Sequence, residues 1–101
     1  MNALLLLDRE AIAHACVEHG VLRLRIFGSA TSDRFDPSSS DLDFLVTFSP
    51  DVPNHFHAYF DFKDALEEIT GRSVDLVEES AIRNPFFARS AYASAEDLYA
   101  A

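Results

Sequence analysis

The stretch RIFGSATSDRFDPSSSDLDFLV, residues 25–46, decides the fold, because it ends one strand and opens another on charged residues. Arg25, Ile26 and Phe27 close an alternating run that begins at Val21, and Gly28-Ser29 breaks it. A polar loop with a Pro-based turn follows, DRFDPSSS, residues 33–40. Asp41 and Asp43 then stand directly before Phe44, Leu45 and Val46. Carboxylates at the mouth of an apolar run are expensive unless their charge is offset. What offsets them is the question on which the function turns.

Residues 41–48 read as a strand with Leu42, Phe44, Val46 and Phe48 on one face. Asp41, Asp43, Leu45 and Thr47 share the other. Upstream, residues 21–27 alternate apolar and basic, the period of a half-exposed strand. Residues 8–19 read as a helix capped by Asp8 and stopped by Gly20. Downstream, residues 55–70 carry Phe56, Tyr59, Phe60, Leu66 and Ile69 at helical spacing and end at Gly71. Residues 73–78 form a third short strand, and Asn84-Pro85 a cap followed by the first residue of another helix. The tail, residues 95–101, reads equally as a last strand or a frayed end. Helices alternating with strands predict a small α/β sandwich, one sheet of about three to four strands covered by helices.

The 101 residues predict one domain, 1–101. With 49% hydrophobic residues and nine Phe, a core forms without disulfides, and the single cysteine, Cys16, excludes an internal one. That pattern fits a reducing, cytoplasmic setting. The opening ALLLL, residues 3–7, is far too short to cross a bilayer and lacks the flanks of a secretion signal, so no membrane is expected. A net charge of −9 repels phosphate backbones, so direct nucleic-acid binding is not expected. It suits a basic protein partner or divalent cations.

Because strand side chains alternate, Asp41 and Asp43 point the same way, roughly 6–7 Å apart, and a neighbouring strand about 5 Å away brings Asp75 within reach. Three carboxylates converging there repel one another unless a hard cation lies between them, and Mg²⁺ prefers carboxylates combined with substrate phosphates. Gly28 lets the backbone approach a ligand closely, and N–H groups at such a turn, with the Ser29 hydroxyl, favour an anion. Taken singly, a Gly-Ser is more often a plain turn and an Asp-x-Asp two solvated acids. In this order, an anion cradle facing an acidic triad is what phosphoryl or nucleotidyl transfer needs.

Residues 27–46 together with VDLVEESAIRNPFFARSA, residues 74–91, resemble the minimal nucleotidyltransferases, a branch of the polymerase-beta-like nucleotidyltransferase superfamily. The resemblance implies the nucleotidyltransferase fold with a mixed sheet. It implies that Gly28 and Ser29 contact phosphate, that Asp41 and Asp43 bind metal, and that Asp75 is the third acid. It further implies Mg²⁺ as cofactor, ATP as substrate, and transfer of AMP to a tyrosine of a helical HEPN-type ribonuclease toxin. The chain is then the toxin's antitoxin and forms a hetero-oligomer with it. Members often read Gly-Ser-x-Ala-Arg-Gly, whereas Thr31, Ser32 and Asp33 stand here, so a positive charge is missing and Arg34 is the nearest substitute. That departure supports an alternative from another class, a catalytically degenerate module that neutralises its partner by binding alone.

Other residues take bland readings. Cys16 is a small buried hydrophobe. His55, His57, His14 and His19 lie off the favoured spacing for shared ligands. Phe86 and Phe87 supply one core ring and one exposed ring, Tyr92 and Tyr99 pack, and Ser38, Ser39 and Ser40 are loop.

Overall fold

Asp8, Asn54 and Asn84 each open a helix by accepting hydrogen bonds from backbone N–H groups of the first turn. In the computed structural model, which describes residues 3–101, Asp8 accepts from the Ala11 N–H at 3.0 Å and starts α1, Arg9–Glu18. Asn54 accepts from His57 at 3.1 Å and starts α2, His55–Thr70. Asn84 accepts from Phe86 and Phe87 at 2.9 and 3.2 Å, and Pro85 is the first residue of α3, Pro85–Ser94. Both helix caps read from the sequence, Asp8 and Asn84, are therefore in place. Among the described residues, no helix is long and apolar enough to cross a membrane.

Four strands, β1 (Val21–Phe27), β2 (Leu42–Phe48), β3 (Val74–Glu78) and β4 (Glu96–Ala100), form one sheet in the order β3-β2-β1-β4. β1 is antiparallel to β2 and β4, whereas β2 and β3 are parallel, with α2 as the crossover that parallel neighbours require. The sheet is mixed, as expected. The tail is a strand, since β4 pairs with β1 and the Ala101 N–H donates to the Leu22 carbonyl at 2.8 Å.

One face of the sheet carries the main core. Leu42, Phe44 and Val46 pack there with Leu24 and Ile26, beneath Ile12 and Cys16 of α1 and Phe62 and Leu66 of α2. Burial pushes the Cys16 thiol up to about 12, which leaves it an inert hydrophobe at neutral pH. The other face holds a smaller cluster, Phe27 and Leu45 against Ala91 of α3. At the far end of that face Arg25 lies 4.9 Å from the Tyr92 ring centroid and ion-pairs with Glu79.

One expectation needs correction. Neither Phe86 nor Phe87 is a core ring: Phe86 is 76% exposed and Phe87 38%, the latter edge-on to Phe27 at 5.8 Å. Both lie in the first turn of α3. The serines are loop, as expected, and hydrogen bonds tie that loop together. Ser38 and Ser39 donate to the Asp36 carboxylate, with the Ser38 hydroxyl at 2.7 Å, and these bonds hold its pKa below the usual value. Arg72 stacks over buried Phe35 at 5.2 Å and donates to the Pro37 carbonyl. The segment between β1 and β2 is thereby pinned, and β2 begins at a defined place.

The outer edge of β3 is closed by α2. Tyr59 donates to the Leu76 carbonyl at 2.5 Å, and Glu67 accepts from the Val74 N–H at 2.9 Å. Side chains thus occupy backbone groups that would otherwise invite strand addition.

Candidate active site

The register places Phe27, Asp43 and Asp75 side by side on β1, β2 and β3. β1 stops at Phe27, and Gly28–Thr31 makes one short helical turn across the end of this row. Gly28 has φ +75°, and a Cβ on it would lie 2.6 Å from an Asp43 carboxylate oxygen. Two independent reasons therefore demand glycine: the left-handed backbone and the carboxylate pressed against it. The motif and the acid, separate in sequence, are one piece of structure.

Asp43 is half-buried and its carboxyl is pushed up to about 6. Loss of water is the main cause, followed by a hydrogen bond with Asp75 and the charges of Asp75 and Asp41. Asp41 is exposed, lies just before β2, and reaches Asp43 through its charge. The structure thus brings Asp43 and Asp75 into contact and leaves Asp41 at the rim. Among the described residues, no three His, Cys, Asp or Glu side chains are gathered closely enough to hold a metal unaided. The expected convergence of three carboxylates is therefore reduced to two in contact, and a cation there would need further ligands from phosphates and water. The donors are carboxylate oxygens, the type Mg²⁺ takes, and two carboxylates outnumber the one ammonium, Lys63, that lines the same cleft, so the residues fit this ion.

Two clefts flank the row. The first, about 730 Å³, lies between the Gly28–Thr31 turn and α3, and Ser29, Arg34, Ser90 and Ser94 line it. Its wall is built by hydrogen bonds. Ser94 accepts from the Gly28 N–H at 2.9 Å, Thr31 donates to the Gly28 carbonyl at 3.0 Å, and Ser32 donates to the Ser29 carbonyl at 3.1 Å. The Gly28 N–H is therefore committed to Ser94. Thr31 and Ser32, where the motif departs from the pattern, brace the turn, and Arg34 brings a positive charge to the same cleft, which Glu96 also lines.

The second cleft, about 310 Å³, holds Asp43 and Asp75 with Phe27, Tyr59, Lys63 and Phe87. Ser94 and Lys63 carry no weight in the sequence reading. The signals were present: Ser90 and Ser94 share a helical face, and Lys63 is the only lysine in the chain, one turn after Tyr59. A groove of about 560 Å³ between α1 and α2, lined by His14, Glu18 and Glu68, shares no residue with the row.

Residues 9–98 match the nucleotidyltransferase domain family. A "putative protein adenylyltransferase" of Methanocaldococcus jannaschii is 34% identical over 73 residues, 72% of this chain and 71% of that protein. A solved structure described as a "putative minimal nucleotidyltransferase" superposes with a TM-score of 0.71 at 33% identity, covering 87% of this chain and 86% of the other. A chain of a toxin–antitoxin complex with AMP-PNP superposes at 0.72 and 18% identity, covering 94% and 75%. A chain from the complex of a tri-AMPylated Shewanella oneidensis HEPN toxin with its MNT antitoxin gives 0.57 at 14%, covering 92% and 73%. At those last two identities the likeness is one of fold.

Proposed function

Because the chain belongs to the nucleotidyltransferase family, as a minimal nucleotidyltransferase, we propose that it moves AMP from Mg²⁺-ATP to a tyrosine of a partner protein. The partner is a HEPN-type toxin, which the modification silences, so the chain acts as an antitoxin. The observation that carries this reading is the Asp43–Asp75 pair pressed against the Gly28–Ser29 turn, with a polar cleft on one side and a small one on the other. The AMP-PNP and AMPylated-toxin complexes among its structural neighbours support the donor and the kind of partner.

Each residue then has a task. Ser29 contacts the triphosphate, Gly28 lets turn and carboxylate meet, and Arg34 supplies the charge missing at Ser32. Asp41, Asp43 and Asp75 would hold Mg²⁺, which would supply neutralisation of the triphosphate charge. The acceptor oxygen forms a bond to the α-phosphorus as the bond to the bridging oxygen breaks. Pyrophosphate leaves with that electron pair, and Asp75, the outermost acid of the row, takes the acceptor's proton. The intact row and the charge of Arg34 in the donor cleft favour catalysis over neutralisation by binding alone.

The test uses ATP labelled at the α-phosphate, Mg²⁺, purified protein and an extract of its own cells lacking it. Label on a protein tyrosine, lost with Asp43→Ala, is the expected result. Mg²⁺-ATP binding without any labelled product would overturn the transferase reading and leave the degenerate binder.

A further inference from the structure

We infer that the 310 Å³ cleft is the acceptor pocket, that its aromatic walls select a phenol, and that Lys63 is a catalytic residue steadying the phenolate as it attacks. The inference rests on the transferase reading and extends it to the choice of acceptor.

Phe27, Tyr59, Val77 and Phe87 wall the cleft, and Asp43 and Asp75 lie within it. At its size the cleft sits at the lower end of ligand pockets, about 300–1,000 Å³, so it admits a side chain rather than a second nucleotide. The walls are held in place. Phe27 is packed beneath α3, Phe87 stands edge-on to it, and the Tyr59 hydroxyl is tied to the Leu76 carbonyl. Phe27 is nearly covered, so half-buried Tyr59 and exposed Phe87 present most of the ring surface, and a ring entering the cleft makes the offset and edge contacts aromatics prefer. A serine in the same place leaves that surface wet, which is how an apolar pocket discriminates.

Lys63 adds the chemistry. Its ammonium makes no ion pair or hydrogen bond among the described residues, although it lines the cleft that holds two carboxylates. An ammonium beside a phenol favours the phenolate, whose ordinary pKa of about 10 otherwise limits attack at neutral pH. As the phenolic proton passes to Asp75, the charge growing on the oxygen meets Lys63. The same cation would merely raise a serine alcohol's ionisation from a negligible level, so the residue and the walls favour the same acceptor.

The first arm of the experiment reads binding without turnover. Lys63 is the only lysine, so reductive carbon-13 dimethylation, which keeps its charge, gives one lysine resonance. N-acetyl-tyrosinamide is expected to shift it and N-acetyl-serinamide to leave it, and Phe87→Ala is expected to weaken the response severalfold. Equal response to both amides, or none to the tyrosine amide up to its solubility, overturns the pocket. The second arm measures AMP transfer from Mg²⁺-ATP to N-acetyl-tyrosinamide. Lys63→Met is expected to lower kcat about tenfold at neutral pH and move the pH optimum upward, with Lys63→Arg restoring most of it. Transfer with the same pH profile in Lys63→Met overturns the role of Lys63 and leaves the transferase reading intact. A lysine shift without transfer by the wild type overturns the transferase reading and leaves the pocket.

Discussion

Replacing Asp43 with Asn should stabilise the metal-free protein while abolishing transfer. The folded protein raises this carboxyl from an ordinary 3.8 to about 6. Between those values the native state holds a proton that the unfolded chain has released, so stability falls as pH rises through the window. Above about pH 6 the penalty is complete, and below about pH 4 it is absent. A shift of that size corresponds to at most about 3 kcal/mol, and because water reaches about half of the group, screening leaves about 1 kcal/mol. An amide keeps the shape and still bonds to Asp75 but carries no charge. Thermal unfolding followed by circular dichroism in a chelator should show a Tm gain of about 5 °C at pH 7 that disappears near pH 4. Mg²⁺ should raise the Tm of the wild type and leave the variant unmoved. A gain equal at both pH values, or a loss at pH 7, would refute the argument that the crowded carboxylates cost stability.

Four further predictions concern the turn and its cleft. Gly28→Ala forces a left-handed residue and drives a methyl into Asp43; it should cost about 1 kcal/mol or more in urea unfolding and lower AMP transfer at least about a hundredfold. Ser94→Ala removes the acceptor of the Gly28 N–H and should cost about 1 kcal/mol, with steady-state kinetics showing a raised KM for ATP and a smaller change in kcat. Arg34→Gln should raise that KM about tenfold at low salt and less at high salt, because the exposed cation acts by a screened charge. Ser32→Arg with Asp33→Gly should speed transfer and restore what Arg34→Gln loses; no gain in either background would mean that the missing charge is harmless here.

Most of the fold could be read because its signals are local. A cap acts within three residues of itself, so Asp8, Asn84 and Pro85 announced two helix starts. Alternation along residues 21–27 and 42–48 set which side chains share a face, and Leu45 indeed packs opposite Phe44, against α3. Phe86 and Phe87 misled because two adjacent rings at a helix start look like half a core, while the first turn of α3 leaves both largely exposed. The serine run is loop as read, but nothing local marks its bonds to Asp36.

The candidate site divides along the same line. Legible in the sequence were the ingredients: a glycine at the end of one strand, an Asp-x-Asp at the mouth of the next, a third acid on another strand, and Ser32 where the resembled pattern has arginine. Only the tertiary structure decided how they meet. Asp43 faces Asp75 because β2 and β3 pair in parallel at one register, and a slip of one residue would send one carboxylate to the opposite face. Ser94 reaches Gly28 across 66 residues, Lys63 enters the cleft from the crossover helix between the two acid-bearing strands, and the tail becomes a strand only because β1 has an open edge. Local propensity decides what each segment is, but which distant groups touch depends on pairing energies summed over the whole sheet, and no short window of sequence contains that sum.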